Sequence, residues 1–485
     1  MTRAAAVAGA AVVCALGLDS GGYFPRSWVW STVVLLWVAA VVLVLRRRVA
    51  VDAAGAVWVA ALLALAAWTL LSAVWSIEPA QSVLDARRDL VYVAASFVVV
   101  TAPRRAAALL PVGVLSAVSV VAVVGLVRYL VSGPVDPAQG TLLSWPVGYA
   151  NAFAGLCAIA LPLAVALAAH EPSAAARAAA AATVPLFVAV IVVAGSVGGA
   201  LAAAVALAAL VALDVRRRGV ITAAWRVAIP VAAVIATCRL ADLGAHPGSG
   251  ARRGLVALVL AAAAVVAALH AARTLRERPP GRELSRRLAL AGVLCAAGIA
   301  VAVSALPSTV TTHVVAAERA DYWAVGRNVV ARHPWLGAGA GTFGRFWLDE
   351  RPTAPAGALD AHNLYLETLA ELGPIGLVVL IAFLALPLVR APADAAAGAA
   401  YAAFLVHALV DWDWEMPVVP VAAVLIGGSL LVRARLQVRP LDDSLRLAAA
   451  IAAVALAALA LLGLRSPNVP AAAAPEGATA ARTSC

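Results

Sequence analysis

The sequence predicts an all-α polytopic membrane protein, with roughly 12–15 transmembrane helices and one large extracytoplasmic loop containing short helices. Three observations predict it. The 485 residues are 64% hydrophobic and 13% charged, with a mean hydropathy of +0.96. An aqueous fold could not hide that much apolar surface behind a polar exterior. Apolar runs such as Val29–Leu45, Gly55–Val74, Leu255–Leu269 and Ile375–Val389 approach or reach the ~20 residues needed to cross a bilayer core at 1.5 Å per residue. None of these runs alternates with period 2, so helices are expected and an outer-membrane barrel is not.

The basic residues orient the bundle. The net charge is +11, and every basic side chain is arginine. These arginines sit in short clusters between apolar runs, which excludes nucleic acid as the partner and leaves membrane lipids. Arg46-Arg47-Arg48, Arg104-Arg105, Arg216-Arg217-Arg218, the stretch from Arg273 to Arg287 and that from Arg433 to Arg439 all fall on one face if roughly 15 helices cross. The positive-inside rule then places the N-terminus in the cytoplasm and the C-terminal tail outside. The first run, near Ala4–Leu18, has the length of a signal-peptide core, but no convincing cleavage site precedes Tyr23, so an uncleaved first helix is expected.

Four regions follow: an N-terminal transmembrane bundle (1–306), an extracytoplasmic loop (307–373), C-terminal transmembrane helices (374–464) and a disordered extracytoplasmic tail (465–485) rich in Ala and Pro. Shorter outer loops are expected at Ser76–Arg88, Ser132–Ala150, Asp242–Arg253 and Asp411–Pro417. Cys14, Cys157, Cys238 and Cys295 lie in spans and Cys485 ends the chain. They show no CxxC spacing, so neither disulfides nor a structural zinc site is expected.

The segment from Pro307 to Gly373 is too long to be a simple connection and too rich in Trp, Tyr, Phe, His and Arg to be disordered. Glu318–Arg332 reads as a helix ended by Pro334, with Arg319, Trp323 and Arg327 on one face. A turn at Asp360 is expected to cap a second helix through Leu372, with Gly373-Pro374 breaking it before the next span. Asn363, Glu367 and Glu371 form a polar stripe on it, and His362 projects from its first turn. Each feature also has a plain structural reading. Arg319 and Arg327 fit a solvated face or headgroup contacts equally well. Glu367 and Glu371 fit the wet side of an interfacial helix. His333 and His407 fit structural roles, and Trp412 and Trp414 fit an aromatic belt. The run Gly337 to Gly341 follows a helix rather than a strand, so it is not a dinucleotide loop.

Arg319-Ala320-Asp321-Tyr322-Trp323, then His333-Pro334-Trp335-Leu336-Gly337-Ala338-Gly339-Ala340-Gly341-Thr342-Phe343, then Ala361-His362-Asn363-Leu364-Tyr365-Leu366-Glu367-Thr368-Leu369-Ala370-Glu371-Leu372-Gly373 together resemble the O-antigen ligase and polymerase family. The order and spacing agree across the outer segment. Trp75-Ser76 with Glu78-Pro79, and Gly148-Tyr149-Ala150-Asn151, are softer similarities. The sequence departs from the family at Gly195-Ser196-Val197-Gly198-Gly199, where Val197 stands in place of an arginine thought to contact the donor diphosphate. Arg87, Arg88 and Arg128, in or near outer loops, are the candidate replacements.

The resemblance implies a GT-C-like fold in the cytoplasmic (inner) membrane, with the active site on the extracytoplasmic face. It implies transfer of a glycan from a polyprenyl-diphosphate carrier to a glycan, lipid or protein acceptor, with no cofactor. The chemistry needs a base for the acceptor hydroxyl, and a neutral imidazole of pKa ~6.5 can serve. His362 is assigned that role. Arginine can stabilise the departing diphosphate bidentately without a metal. Arg319 is the first candidate and Arg327 the second. Asn363 or Glu367 would orient His362 or hold acceptor hydroxyls, Tyr322 and Trp323 would pack on lipid or sugar, and Gly339 and Gly341 would let backbone approach substrate. Asp411-Trp412-Asp413 matches a D-x-D metal pattern, but two acids are a sparse ligand set and no metal is expected. Three rivals remain: a repeat-unit polymerase or protein-glycosylating ligase of the same family, a lipid or polysaccharide transporter, and a scaffold. The nearly charge-free spans and the absence of an internal repeat count against transport.

Overall fold

In the computed structural model the described residues are 4–136, 139–244, 246, 248–273, 311–351, 358–435 and 440–462. The basic stretch beyond Arg273, Cys295, the outer segment's start at Pro307 and the tail from Arg465 to Cys485 lie outside them. The chain is an all-α polytopic membrane protein; about 80% of the described residues are helical, and none of them forms a strand. The helices are α1 (Ala4–Leu18), α2 (Pro25–Leu45), α3 (Ala53–Ser72), α4 (Pro79–Thr101), the single turn α5 (Arg104–Ala107), α6 (Leu110–Ser132), α7 (Ala150–His170), α8 (Ala174–Val193) and α9 (Val197–Leu213). They continue with α10 (Arg217–Ala241), α11 (Gly250–Arg273), α12 (Thr311–Arg332), α13 (Phe343–Glu350), α14 (Leu364–Leu388), α15 (Ala395–His407), α16 (Val418–Arg433) and α17 (Asp443–Leu462). Nine of the described helical stretches are long and apolar enough to cross a membrane, and four more apolar helices are shorter.

The bundle is centred on α7, which packs against α6, α8, α9, α10 and α15. Its run of Ala with Gly155 lets neighbouring backbones come close, as small residues do wherever helices meet in lipid. The first helix, α1, is part of the core: Val13 and Leu16 are fully buried and it packs on α6 and α2. The arginine clusters meet at one end of the bundle. Arg104 donates to the Arg433 carbonyl, Arg446 to that of Arg46, and Arg435 to those of Ala50 and Val100 at 2.7 and 2.6 Å. At 17 and 13 residues, α9 and α15 are only ~25 and ~20 Å long, short of a ~30 Å hydrocarbon core. At the arginine end, where α9 ends and α15 begins, a cleft of about 430 Å³ is lined by His170, Asp214, Arg216, Asp394 and Arg433 among others.

The opposite end carries the described part of the segment expected to be extracytoplasmic, with a small core of its own: Val325 and Val329 of α12, Phe343, Phe346 and Trp347 of α13, and Ala361 and Ala370 beside and within α14. Two expectations change here. The outer loop expected at Ser76–Arg88 is instead the start of α4, whose proline at N1 suits a helix start. The break at Gly373 exists, but as a kink inside α14: Gly373 has φ +66, and a Cβ there would lie 2.5 Å from the Trp335 carbonyl oxygen.

Candidate active site

The site is assembled from 319–323 on α12, 360–371 around the start of α14, 411–415 between α15 and α16, and Tyr149 with Asn151 at the start of α7. A helix begins where a side-chain oxygen satisfies an orphan amide. Here that side chain is Asn363, whose Oδ1 accepts from the Leu366 amide at 3.0 Å, three residues after the cap expected at Asp360. His362 therefore precedes the helix rather than projecting from its first turn. It adopts φ +53, a left-handed backbone that costs most side chains about 1–2 kcal/mol. A carbonyl can only accept, so His362 Nδ1, 3.1 Å from the Asp360 carbonyl oxygen, carries the hydrogen. Nε2 is then the nitrogen with the free lone pair. The imidazole stacks on Tyr322 (centroids 4.6 Å apart, planes 20°) and meets Trp412 edge-on at 6.4 Å. Burial pushes its pKa below the usual imidazole range, partly opposed by the Asp411 carboxylate, so it is neutral at pH 7.

Arg319 is held by Asp411, its Nη2 3.0 Å from Oδ2. The Asp411 side chain is wholly inaccessible, and its Oδ1 accepts from the Tyr149 hydroxyl at 2.8 Å and the Trp412 amide at 2.9 Å. Asn151 donates to that hydroxyl at 2.8 Å. Arg319 Nε is buried without a hydrogen-bond partner, leaving donor capacity beside His362. Tyr149 packs on Trp412, centroids 4.6 Å apart.

The glycine run is used for packing. Its amides are taken within the protein: Gly337 by the His333 carbonyl (3.2 Å), Ala338 by Ala370 (3.0 Å), Gly339 by Glu371 (2.8 Å), Ala340 by Ser72 Oγ (3.0 Å) and Gly341 by Glu371 Oε2 (2.8 Å). At Gly339 a Cβ would lie 2.4 Å from Ser76 Cβ, and at Gly341 2.3 Å from Gln81 Cγ. The close approach that these glycines permit is to the α3–α4 connection and to the start of α4. Glu371 also accepts from the Phe343 amide at 2.9 Å, and Glu367 from the Ala361 amide. Both carboxylates are buried. They clamp the segments flanking His362 and do not form a wet helix face.

Beside this clamp Arg88 pairs with Asp85 at 3.2 Å and with Glu415. Burial raises Glu415 to about 7 despite Arg88, and burial together with Glu415 raises Asp360 well above the carboxylate range. Asp360, Glu367 and Glu415 each bring an oxygen within 4.8 Å of the others, a donor type that suits hard divalent cations. The two acids of the D-x-D pattern do not share a ligand position: Asp411 faces Arg319, while Asp413 faces His407 at 2.9 Å. Trp414 is buried and Trp412 packs within the site, so the aromatic-belt expectation is corrected for both.

Of the remaining candidates, Trp323 is half-buried with Nε1 unpartnered. Arg327 is exposed, with no ion pair among the described residues. Arg128 is exposed near the end of α6 against Val135 and Trp145, and nothing described joins it to His362. Arg87 stacks over Trp28, 5.8 Å from the ring centroid. Ser196 caps α9, accepting from Gly199 at 3.0 Å, and leaves Val197 exposed. His333 packs edge-on against Phe346.

Residues 240–381 match the family model described as O-Antigen ligase. The matched stretch contains the Arg319 helix, the glycine run and the His362–Glu371 clamp, and it supports the O-antigen ligase/polymerase resemblance read from those residues. Among curated proteins, none matches the chain.

Proposed function

We propose that this chain is a membrane glycosyltransferase that moves a glycan from a polyprenyl-diphosphate carrier to an acceptor hydroxyl on the outer face of the membrane. The observation that carries the reading is the convergence of Arg319, a neutral His362 and the buried Asp411, the last two 49 positions apart in sequence. His362 Nε2 takes the acceptor proton as the acceptor oxygen attacks the anomeric carbon. The bond from that carbon to the diphosphate oxygen breaks, and the leaving polyprenyl diphosphate takes the electron pair. Arg319, oriented by Asp411, meets the growing charge. Tyr322 and Trp412 hold the imidazole plane, and Asn363 fixes the turn from which it projects. Arg327 and Trp323, further along α12, would contact the donor. Arg88 is engaged by both Asp85 and Glu415, whereas Arg319 keeps an unpartnered Nε, which favours Arg319 as the diphosphate ligand.

A ligase and a repeat-unit polymerase share this chemistry and differ only in acceptor. The test is glycan transfer in proteoliposomes from a polyprenyl-diphosphate donor, comparing the parent with His362→Ala and Arg319→Ala, with and without a chelator. Loss of transfer in both folded variants, and no effect of chelation on the parent, is the expected result. Full activity in His362→Ala removes the base assignment. A chelator-sensitive parent points to the Asp360, Glu367 and Glu415 group. Movement of labelled lipid without joining of sugars makes the chain a transporter.

A further inference from the structure

The residues from Asp411 to Glu415 each engage a different partner. Asp411 holds Arg319, Trp412 lies between Tyr149 and His362, the Trp414 carbonyl accepts from the Tyr92 hydroxyl at 2.8 Å, and Glu415 pairs with Arg88. The remaining anchor, Asp413, points into the bundle. Its Oδ2 lies 2.9 Å from Nδ1 of His407, and the two side chains are 0% and 1% exposed. Neither Asp413 Oδ1 nor His407 Nε2 has a hydrogen-bond partner, an arrangement that apolar side chains of similar size would avoid at no cost to packing. The bundle makes room for the pair: a Cβ at Gly155 of α7 would lie 2.9 Å from both Asp413 Oδ2 and His407 Nδ1, and one at Gly198 of α9 3.4 Å from His407 Nε2.

Its place in the chain suggests what it is for. His407 is the last residue of α15. The carbonyl of the next residue, Ala408, accepts from the Leu364 amide at 2.9 Å, which ties down the start of α14 two residues after His362. Asp413 stands two residues beyond Asp411, the anchor of Arg319. One buried pair thus sits one residue from the tie that fixes the base and two from the carboxylate that fixes the cation.

Resting on the reading of the site given above, we propose that His407 and Asp413 are positioning residues: their buried pair closes the 407–413 turn where it packs on Gly155 of α7 and Gly198 of α9, and so sets Arg319 against His362. A purely structural pair would be replaceable by apolar residues, whereas a positioning pair would not, because only the polar bond fixes the turn's register.

The experiment compares the parent, the double variant His407→Leu/Asp413→Leu, and Arg319→Ala. It measures melting temperature, glycan-transfer kcat and donor KM, and thermal stabilisation by geranylgeranyl diphosphate, a diphosphate probe on an isoprenyl chain. The expected result is a double variant that melts near the parent yet binds the probe at least tenfold more weakly and shows a raised donor KM. Parental probe binding and kinetics in the double variant overturn the proposal. If the double variant does not assemble, His407→Asn and His407→Gln decide. Asn sets an amide nitrogen where Nδ1 stands and Gln does not, so Asn recovers part of the probe binding that Gln loses. Equal binding by the two overturns the proposal. A parent that binds the probe but transfers no glycan removes the catalytic reading and leaves this test intact. A parent that does neither removes both.

Discussion

The left-handed backbone at His362 offers a way to delete the base while keeping the fold. Asparagine tolerates φ near +53 better than most residues, and its side-chain nitrogen can stand where Nδ1 stands, 3.1 Å from the Asp360 carbonyl oxygen. His362→Asn therefore keeps the local hydrogen bond and loses two things, the Nε2 lone pair and the stack on Tyr322. The stack is worth about 0.5–1.5 kcal/mol, which sets the expected loss of stability. The lone pair is worth far more in rate: general-base catalysis contributes about 10²–10⁴-fold, or about 3–5 kcal/mol at 1.36 kcal/mol per decade. Burial depresses the imidazole below its usual 6.5, so parental activity should fall on an acid limb whose midpoint lies below pH 6.5. The assay is initial transfer rate in proteoliposomes across pH 5–9, with melting temperature measured alongside. A variant within tenfold of the parent that keeps the same acid limb refutes the assignment of His362 as the base.

Other variants probe the supports. In Asp411→Asn the carboxylate that raises the His362 pKa is gone and Arg319 loses its anchor, so the remaining activity should show an acid limb shifted further down and a raised donor KM; an unmoved limb counts against Asp411 as the orienting group. Glu371→Gln exchanges an acceptor for a donor against one of the two amides at 2.8 and 2.9 Å, and should cost about 1–3 kcal/mol, read as a lower melting temperature. Gly341→Ala combines φ +70 with a Cβ 2.3 Å from Gln81 Cγ and should cost about 2–4 kcal/mol; a neutral effect would mean the glycine run does not dock on α4. Glu415 is raised from 4.5 to about 7 in the folded protein, so its protonated form is the favoured one. Its contribution to stability is complete below pH 4.5 and is lost as pH rises through about 7. Melting temperature should fall from pH 6 to 8, and Glu415→Gln should flatten that slope.

Where a single sequence was informative about the fold, the reason is the membrane itself. Hydrocarbon fixes a minimum apolar length for every crossing, so runs such as Val29–Leu45 reveal themselves by composition alone. That criterion fails for α4, whose first half carries Asp85, Arg87, Arg88 and Asp89 and so reads as an outer loop. Those charges are accommodated by partners remote in sequence: Arg88 by Glu415 and Arg87 by the Trp28 ring. The short α13 was legible in principle. Phe343, Phe346 and Trp347 repeat at i, i+3 and i+4 and all three are buried, the pattern of one apolar helix face, though eight residues give that pattern little weight beside the glycines before it.

The candidate site divides along the same physical line. His362 and Arg319 lie in a segment whose motifs are local, so spacing along the chain was enough to single them out. Asp411, Trp412 and Asp413 read as an outer loop because acids and tryptophans flanking apolar runs usually lie at the membrane surface. Composition cannot separate an acid that faces headgroup water from one buried on an arginine, since the deciding quantity is the position of a cation 92 residues away. A carboxylate buried without such a partner would take up a proton or unfold the turn that holds it. The burial of Asp411 therefore depends on Arg319 as much as the aim of Arg319 depends on Asp411. A substitution at either residue should disturb the other, and their effects on donor KM should be far from additive in a double-mutant cycle. Additive effects would mean that Asp411 supports the turn and not the arginine.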